Sequence, residues 1–179
     1  STRIRSALEM GDVGQVRRLL GRPFRMTGRV HRGQQLGRDL GYPTANIAFP
    51  GNSKPPLVGI YAVRARLHSA HPECVPVAAA QGFEKMPIAT ELAESNLQAL
   101  NSGQWLDAVA SLGQRPTVNQ GEPLLEVHLF DFCGDLYGRK IDVEFVQKLR
   151  DEAHFATVTE MVEQIHDDAA QARQILRQG

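Results

Sequence analysis

The sequence predicts a mainly-β domain, an antiparallel sheet closed or nearly closed on itself, with helices at both ends and one more in an insertion. Three observations predict it. Stretches rich in β-branched and aromatic residues recur from Phe24 to Arg150, their connections carry turn chemistry, and only one segment between them has helical spacing. At 179 residues the chain can bury one real core with an appendage, and it is short for two independent cores.

The elements follow in order. Residues 4 to 20, IRSALEMGDVGQVRRLL, set Ile4, Leu8, Val16, Leu19 and Leu20 at helical spacings interrupted near Gly11 and Gly14, which fits two short helices joined at Gly11-Asp12. Gly21-Arg22-Pro23 stops them. Phe24, Met26, Gly28 and Val30 then alternate with Arg25, Thr27, Arg29 and His31, a strand pattern. Ile47 onward, Leu57 to His68, WLDAVASLG, PLLEVHLFDF and GRKIDVEFVQKLR read as further strands, parted by Arg115-Pro116, Asn119-Gln120-Gly121 and Cys133-Gly134. Residues 87 to 100 place Ile88, Leu92, Leu97 and Leu100 near one face, with Pro87 at the start of a helix inside an insertion of about 70–107. From Thr157 a capping box, Thr157 with Glu160, opens a last helix whose apolar face is Val158, Met161, Val162, Ile165, Ala169, Ala172 and Leu176.

Twenty basic and twenty acidic side chains leave a formal charge of zero, so no global field recruits nucleic acid or an anionic membrane. Any anionic ligand must be met locally. Cys74 and Cys133 show no zinc spacing and read as reduced thiols of a cytoplasmic protein. No apolar run is long enough to span a bilayer and no secretory leader precedes Arg3; the opening Ser1-Thr2-Arg3 suggests a piece of a larger protein.

Three constellations could carry chemistry. Gly28, Gly33, Gly37 and Gly41 let a loop lay its N–H groups against phosphate oxygens, and Arg29, Arg32 and Arg38 bring positive charge to it. An arginine-bearing surface loop has the same composition. In GRDLGYPTANIAF, Pro43 biases Tyr42 to an extended backbone, and Thr44 and Asn46, two apart on a strand, point to one side. Their neutral oxygens suit a hard cation such as Mg²⁺ that arrives with a nucleotide, whose phosphates complete its shell and balance its charge; they equally suit the satisfaction of turn backbone groups. Alternation puts Leu125, Val127 and Leu129 on one face and Leu124, Glu126, His128 and Phe130 on the other. A carboxylate among apolar neighbours suits proton acceptance from an alcohol, while an exposed strand carboxylate paired with an arginine is the competing reading. His128 reads as a partner or surface group rather than a metal ligand.

Together these stretches resemble the riboflavin kinase module of the bacterial bifunctional riboflavin kinase and FAD synthetase family. The resemblance runs through GRPFRMTGRVHRGQQLGRDLGYPTANIAFP, GIYAVRARL, SLGQRPTV, LEVHLFDFCGDLYGRKIDVEFVQKLRDEAHF and the last helix. It implies a six-stranded antiparallel Greek-key β-barrel with a C-terminal helix, and transfer of the ATP γ-phosphoryl group to the ribityl 5′-hydroxyl of riboflavin, giving FMN and ADP. It further implies that Thr44 and Asn46 bind Mg²⁺ and nucleotide phosphates, that Gly33 and Arg38 belong to a phosphate-covering loop, and that Glu126 is the general base. Tyr137 would lie near the nucleotide, and Arg150 and Phe155 would hold the flavin side. Residues 1–22 would be the end of an adenylyltransferase domain with linker helices, and residues 23–179 the kinase domain; the body of that other domain is absent from the sequence.

Two departures stand out: the 70–107 insertion is much longer than the connection usual in the family, and Gln114 stands where Thr is more frequent. The rival reading is a barrel that binds flavin or nucleotide without turnover and regulates the missing domain. A base at Glu126 beside Thr44 and Asn46 argues against it. A nucleic-acid-binding barrel fits less well, since the strands carry no aromatic ladder and the charge no basic excess.

Overall fold

A computed structural model of the chain describes residues 1–33, 41–48, 56–68, 90–114 and 123–179. Two helices open it, α1 (Thr2–Glu9) and α2 (Val13–Leu20), where the interrupted spacing places them. The Asp12 carboxylate accepts the Gln15 N–H and caps α2, so the break falls at the turn residues rather than inside one longer helix. Ala7, Leu8, Val13 and Val16 are buried and join the barrel core, so the pair is docked on the sheet.

Six strands follow: β1 (Phe24–His31), β2 (Ala45–Ala48), β3 (Gly59–Leu67), β4 (Leu106–Gln114), β5 (Pro123–Leu129) and β6 (Lys140–Arg150). They pair antiparallel into a closed barrel in the order β1-β2-β5-β4-β3-β6, with β6 returning to β1. β3, β4 and β5 are successive neighbours and β6 comes back beside β3, which is the Greek-key order. Closure leaves no edge strand unpaired, and alternation sends one side chain in two inward. Ile47, Val63, Ala108, Ala110, Leu112, Leu125, Val127, Val143 and Phe145 fill the interior. The tilted Phe24 and Phe145 rings, 5.8 Å apart, and the Tyr61 ring set edge-on to Phe145 at 5.3 Å carry that packing towards β1 and β3.

The insertion contributes α3 (Thr90–Asn101), with Pro87 and Ile88 outside the described residues. Its buried face differs from the expected one: Leu92 is exposed, whereas Ala93 and Leu100 are buried and Leu97 packs on the core. The strands this helix meets select the side that carries small Ala93 and Asn96. The Asn96 amide donates to the Phe130 and Asp131 carbonyls, so α3 grips the turn that follows β5.

The last helix, α4 (Val158–Arg177), begins at the capping box: the Glu160 N–H donates to the Thr157 hydroxyl and the Glu160 carboxylate accepts the Ala156 N–H. Its apolar stripe is only half used. Ala169, Ala172 and Leu176 pack with Ile60, Ala62, Val109 and Phe130 on the outside of β3 and β4, but Val158 is exposed and Met161, Val162 and Ile165 are half-buried. The helix is buried against β3 and β4 only in its second half, from Asp168 on. Among the described residues no helix is long and apolar enough to cross a membrane.

Candidate active site

Strand register assembles the site. His31 on β1 stands opposite Asn46 on β2, Asn46 opposite Glu126 on β5, Glu126 opposite Ser111 on β4, Ser111 opposite Ile60 on β3, and Ile60 opposite Arg150 on β6. Directly opposed residues share a face, so this row crosses all six strands on the outside of the barrel. Inward Leu125 and Val127 flank Glu126 and force it outward. Asn46 and Glu126, eighty residues apart in the sequence, thus stand side by side, and Arg150 lies farther round the same row.

Gly33 lies directly over Asn46. A Cβ at position 33 would come within 2.3 Å of Asn46 Nδ2 and 2.7 Å of its Oδ1, so only glycine lets the chain leaving β1 lie on that amide. Thr44 immediately precedes β2 and is half-buried. The segment carrying it is anchored at Pro43, whose carbonyl accepts a 2.9 Å hydrogen bond from His128 Nδ1. The carbonyl can only accept, so the imidazole carries its proton on Nδ1. Burial lowers the His128 pKa below its ordinary value; the bond to Pro43 opposes this, Arg173 adds to the fall and Asp131 resists it. His128 thus buttresses the backbone that leads to Thr44.

Tyr137 lies in the turn between β5 and β6. Gly138 N–H donates to the Val30 carbonyl, Val30 N–H to the Arg139 carbonyl and the Arg29 guanidinium to the Gly138 carbonyl, which stitches that turn to the end of β1. The Arg32 guanidinium sits 5.0 Å from the centre of the Tyr137 ring, next to Gly33. Tyr137, Arg32, Gly33, Asn46 and Glu126 therefore form one chain of neighbours. Arg38 lies outside the described residues.

On the other flank, Arg150 is held in a fork by Asp168 of α4, with Nε 2.9 Å from Oδ1 and Nη2 2.7 Å from Oδ2. Gln164 donates to the same carboxylate. The Arg150 guanidinium also lies 5.9 Å from the Phe155 ring centre. Its charge is thus committed to Asp168, and the residue acts as a buttress beside Phe155 more than as an open cation.

Four residues escaped sequence reasoning. Ser111 faces Glu126, but alternation alone cannot say which strand is its neighbour. Glu152 lies over Gly113, where a Cβ would be 1.7 Å from its Oε1. Burial raises the Glu152 carboxyl above its ordinary value; His154 and Arg150 oppose the rise and nearby Glu126 adds to it. No periodicity marks such a contact. Asp168, 5% exposed, had a readable signal: it stands three residues after Ile165 and four before Ala172, an acid on the apolar stripe of a helix. Tyr42 packs edge-on against His128 and His166, at 5.2 and 5.0 Å between ring centres.

For a divalent cation, the donor chemistry present is the Thr44 hydroxyl and the Asn46 amide oxygen. No group of three or more histidine, cysteine or acidic side chains suited to a metal occurs among the described residues. Two neutral oxygens fit a cation that brings phosphate ligands with it and would hold a bare ion poorly.

Comparison with known proteins gives this chain a family. Residues 20–176 match the family model for riboflavin kinase, flavokinase. The chain belongs to the riboflavin kinase family. A bifunctional riboflavin kinase/FMN adenylyltransferase of Pseudomonas fluorescens is 39% identical over 97% of the chain. The chain spans 45% of that relative's length, and the same share of its Haemophilus influenzae and Escherichia coli counterparts, in their C-terminal part. Among solved structures, one described as a macrolide-efflux protein from Streptococcus pneumoniae is 28% identical with a TM-score of 0.70, over 97% of this chain and 46% of that one. Riboflavin kinase from Trypanosoma brucei, 20% identical with a TM-score of 0.51 over 87% of this chain and 80% of that one, shares the fold. The six-stranded barrel with its C-terminal helix is thus the fold of a riboflavin kinase, as the motifs led one to expect.

Proposed function

We propose that this riboflavin kinase family member transfers the γ-phosphoryl group of ATP to the ribityl 5′-hydroxyl of riboflavin, yielding FMN and ADP, with Glu126 as general base. One observation carries the reading: Glu126 stands in register with Asn46, on whose amide Gly33 rests. A candidate proton acceptor and a phosphate-side segment thereby meet on one surface from separate strands. Thr44 and Asn46 would hold Mg²⁺ and nucleotide phosphates, Gly33 and Arg38 would cover those phosphates, and Tyr137 would border the nucleotide. Arg150 and Phe155 would hold the flavin. Bound with the nucleotide, Mg²⁺ would neutralise phosphate charge.

In the reaction Glu126 accepts the 5′-hydroxyl proton as the alkoxide oxygen forms its bond to the γ-phosphorus and the bond to the ADP oxygen breaks. Such transfer asks the protein mainly for alignment and charge balance; the barrel would supply the first, and Mg²⁺ bound with the nucleotide the second. The N-terminal helices, residues 1–22 in this reading, would connect to an adenylyltransferase domain like that named for the relatives, in a cytoplasmic protein that makes FMN and FAD.

Incubation with riboflavin, ATP and Mg²⁺ followed by chromatography for FMN tests the activity. A positioned base contributes about 10²- to 10⁴-fold, so Glu126→Gln should lower turnover by that factor and change ATP affinity only a few-fold. Single-turnover phosphorylation that survives the change nearly intact removes Glu126 from its role.

A further inference from the structure

The segment that carries Thr44 and Asn46 is fastened at a point the kinase reading leaves unused. The Tyr42 hydroxyl is hydrogen-bonded to His166 Nδ1 on α4. Burial raises the Tyr42 pKa above its ordinary value, with Arg173 pulling the other way, so the phenol keeps its proton; the His166 tautomer sets which of the two groups donates. The next residue, Pro43, is fastened to β5 through His128. Behind both, Phe130 packs against His128 at 5.8 Å, the Arg173 guanidinium caps Phe130 at 4.2 Å, and Arg173 is forked onto Asp131. The anchor is therefore rigid on the barrel side.

Two residues along α4 from His166, and so on the opposite side of the helix, Asp168 holds Arg150. The helix lies on β3 and β4, between these two attachments. His166 is exposed and Asp168 is buried, so their substitutions act differently: one removes a tether, the other leaves a charge unpaired.

We infer that Tyr42 and His166 are positioning residues for the nucleotide side of the site: their bond fixes the approach of Pro43-Thr44-Ala45-Asn46 to β2. This rests on the reading of Thr44 and Asn46 as the Mg²⁺ and phosphate segment. Aromatic packing against His128 alone leaves the Tyr42 ring free to slide, whereas a hydroxyl tied to a helix sets its distance as well as its tilt. The rigid anchor at Pro43 then passes that setting to Thr44, one residue on.

Titration calorimetry of Mg·ADP into the 179-residue chain, with riboflavin titrated separately, tests the inference. Tyr42→Phe and His166→Ala should each weaken Mg·ADP about three- to ten-fold, the loss of one hydrogen bond, and the double variant no further than either alone. KM for ATP should rise with little change in kcat, and riboflavin affinity and Tm should hold. His166→Asn, whose amide reaches the place of Nδ1 and can accept or donate there, should recover most of the affinity; a role confined to packing would show no such rescue. Thr44→Ala serves as the reference. If Thr44→Ala weakens Mg·ADP while Tyr42→Phe and His166→Ala do not, or if their losses add, the positioning role is wrong. If Thr44→Ala binds Mg·ADP normally, the site reading falls and the inference with it.

Discussion

Gly33→Ala is the sharpest probe of the site because its consequence can be worked from distances. The added methyl would lie 2.3 Å from Asn46 Nδ2 and 2.5 Å from its Cγ, where ordinary contact begins at 3.4 Å. Gly33 is not among the glycines with positive φ, so alanine brings no backbone strain there and the whole effect falls on the contact. Asn46 is 8% exposed and held between buried Ala45 and Ile47, and its side chain has to yield. The amide must move about 1 Å, and a misplacement of that size costs about 100-fold in rate. That factor is a loss of about 2.7 kcal/mol of transition-state stabilisation. Steady-state kinetics with ATP varied at saturating riboflavin should show kcat/KM for ATP down by about two orders of magnitude, with Tm nearly unchanged because Gly33 lies beyond the end of β1. A variant within three-fold of the parent would show that Asn46 is not held by this contact, or is not used.

Two further predictions concern the groups that brace the barrel surface. Asp168→Asn leaves the Arg150 guanidinium without its carboxylate at a site where Asp168 is 7% and Arg150 23% exposed at the side chain. Breaking such a pair should destabilise by about 3 kcal/mol, or about 6–12 °C in Tm for a chain of this size, and calorimetry that finds no shift would contradict the brace. For Asp142, burial would raise the carboxyl, but hydrogen bonds from Thr27, His68 and Arg66 and the charge of His68 together hold it below the ordinary 3.8. A depressed folded pKa means the unfolded chain binds more protons in that range, so this stabilisation is full above pH about 4 and fades as the pH falls through the folded value. Urea denaturation should therefore show Asp142→Asn less stable than the parent at pH 7 and the gap narrowing as the pH falls below about 4. A gap independent of pH would assign the loss to packing.

The strands were legible because a half-buried strand cannot hide its period: Leu125, Val127 and Leu129 had to face in, and Glu126 therefore out. The helix ends were legible for a local reason as well. Asp12 and Thr157 satisfy orphan N–H groups three residues on, within reach of the sequence itself. Where the partner is distant, the same reasoning stopped. The stripe of α4 was read as wholly buried, yet Val158 is exposed, since the strands the helix packs on decide where burial ends. Likewise α3 turns Ala93 and Leu100 inward and leaves Leu92 out, a rotation set by the strands it meets.

By itself, then, the sequence determined which residues alternate, where α2 and α4 start and which side chains carry usable oxygens, because each depends on neighbours a few residues away. Tertiary structure alone decided that Asn46 faces Glu126, that Gly33 and Gly113 make room for Asn46 and Glu152, and that Arg150 spends its charge on Asp168. Those pairings follow from the register and closure of the barrel, which arise from the packing of all six strands at once and are encoded in no single stretch of the chain.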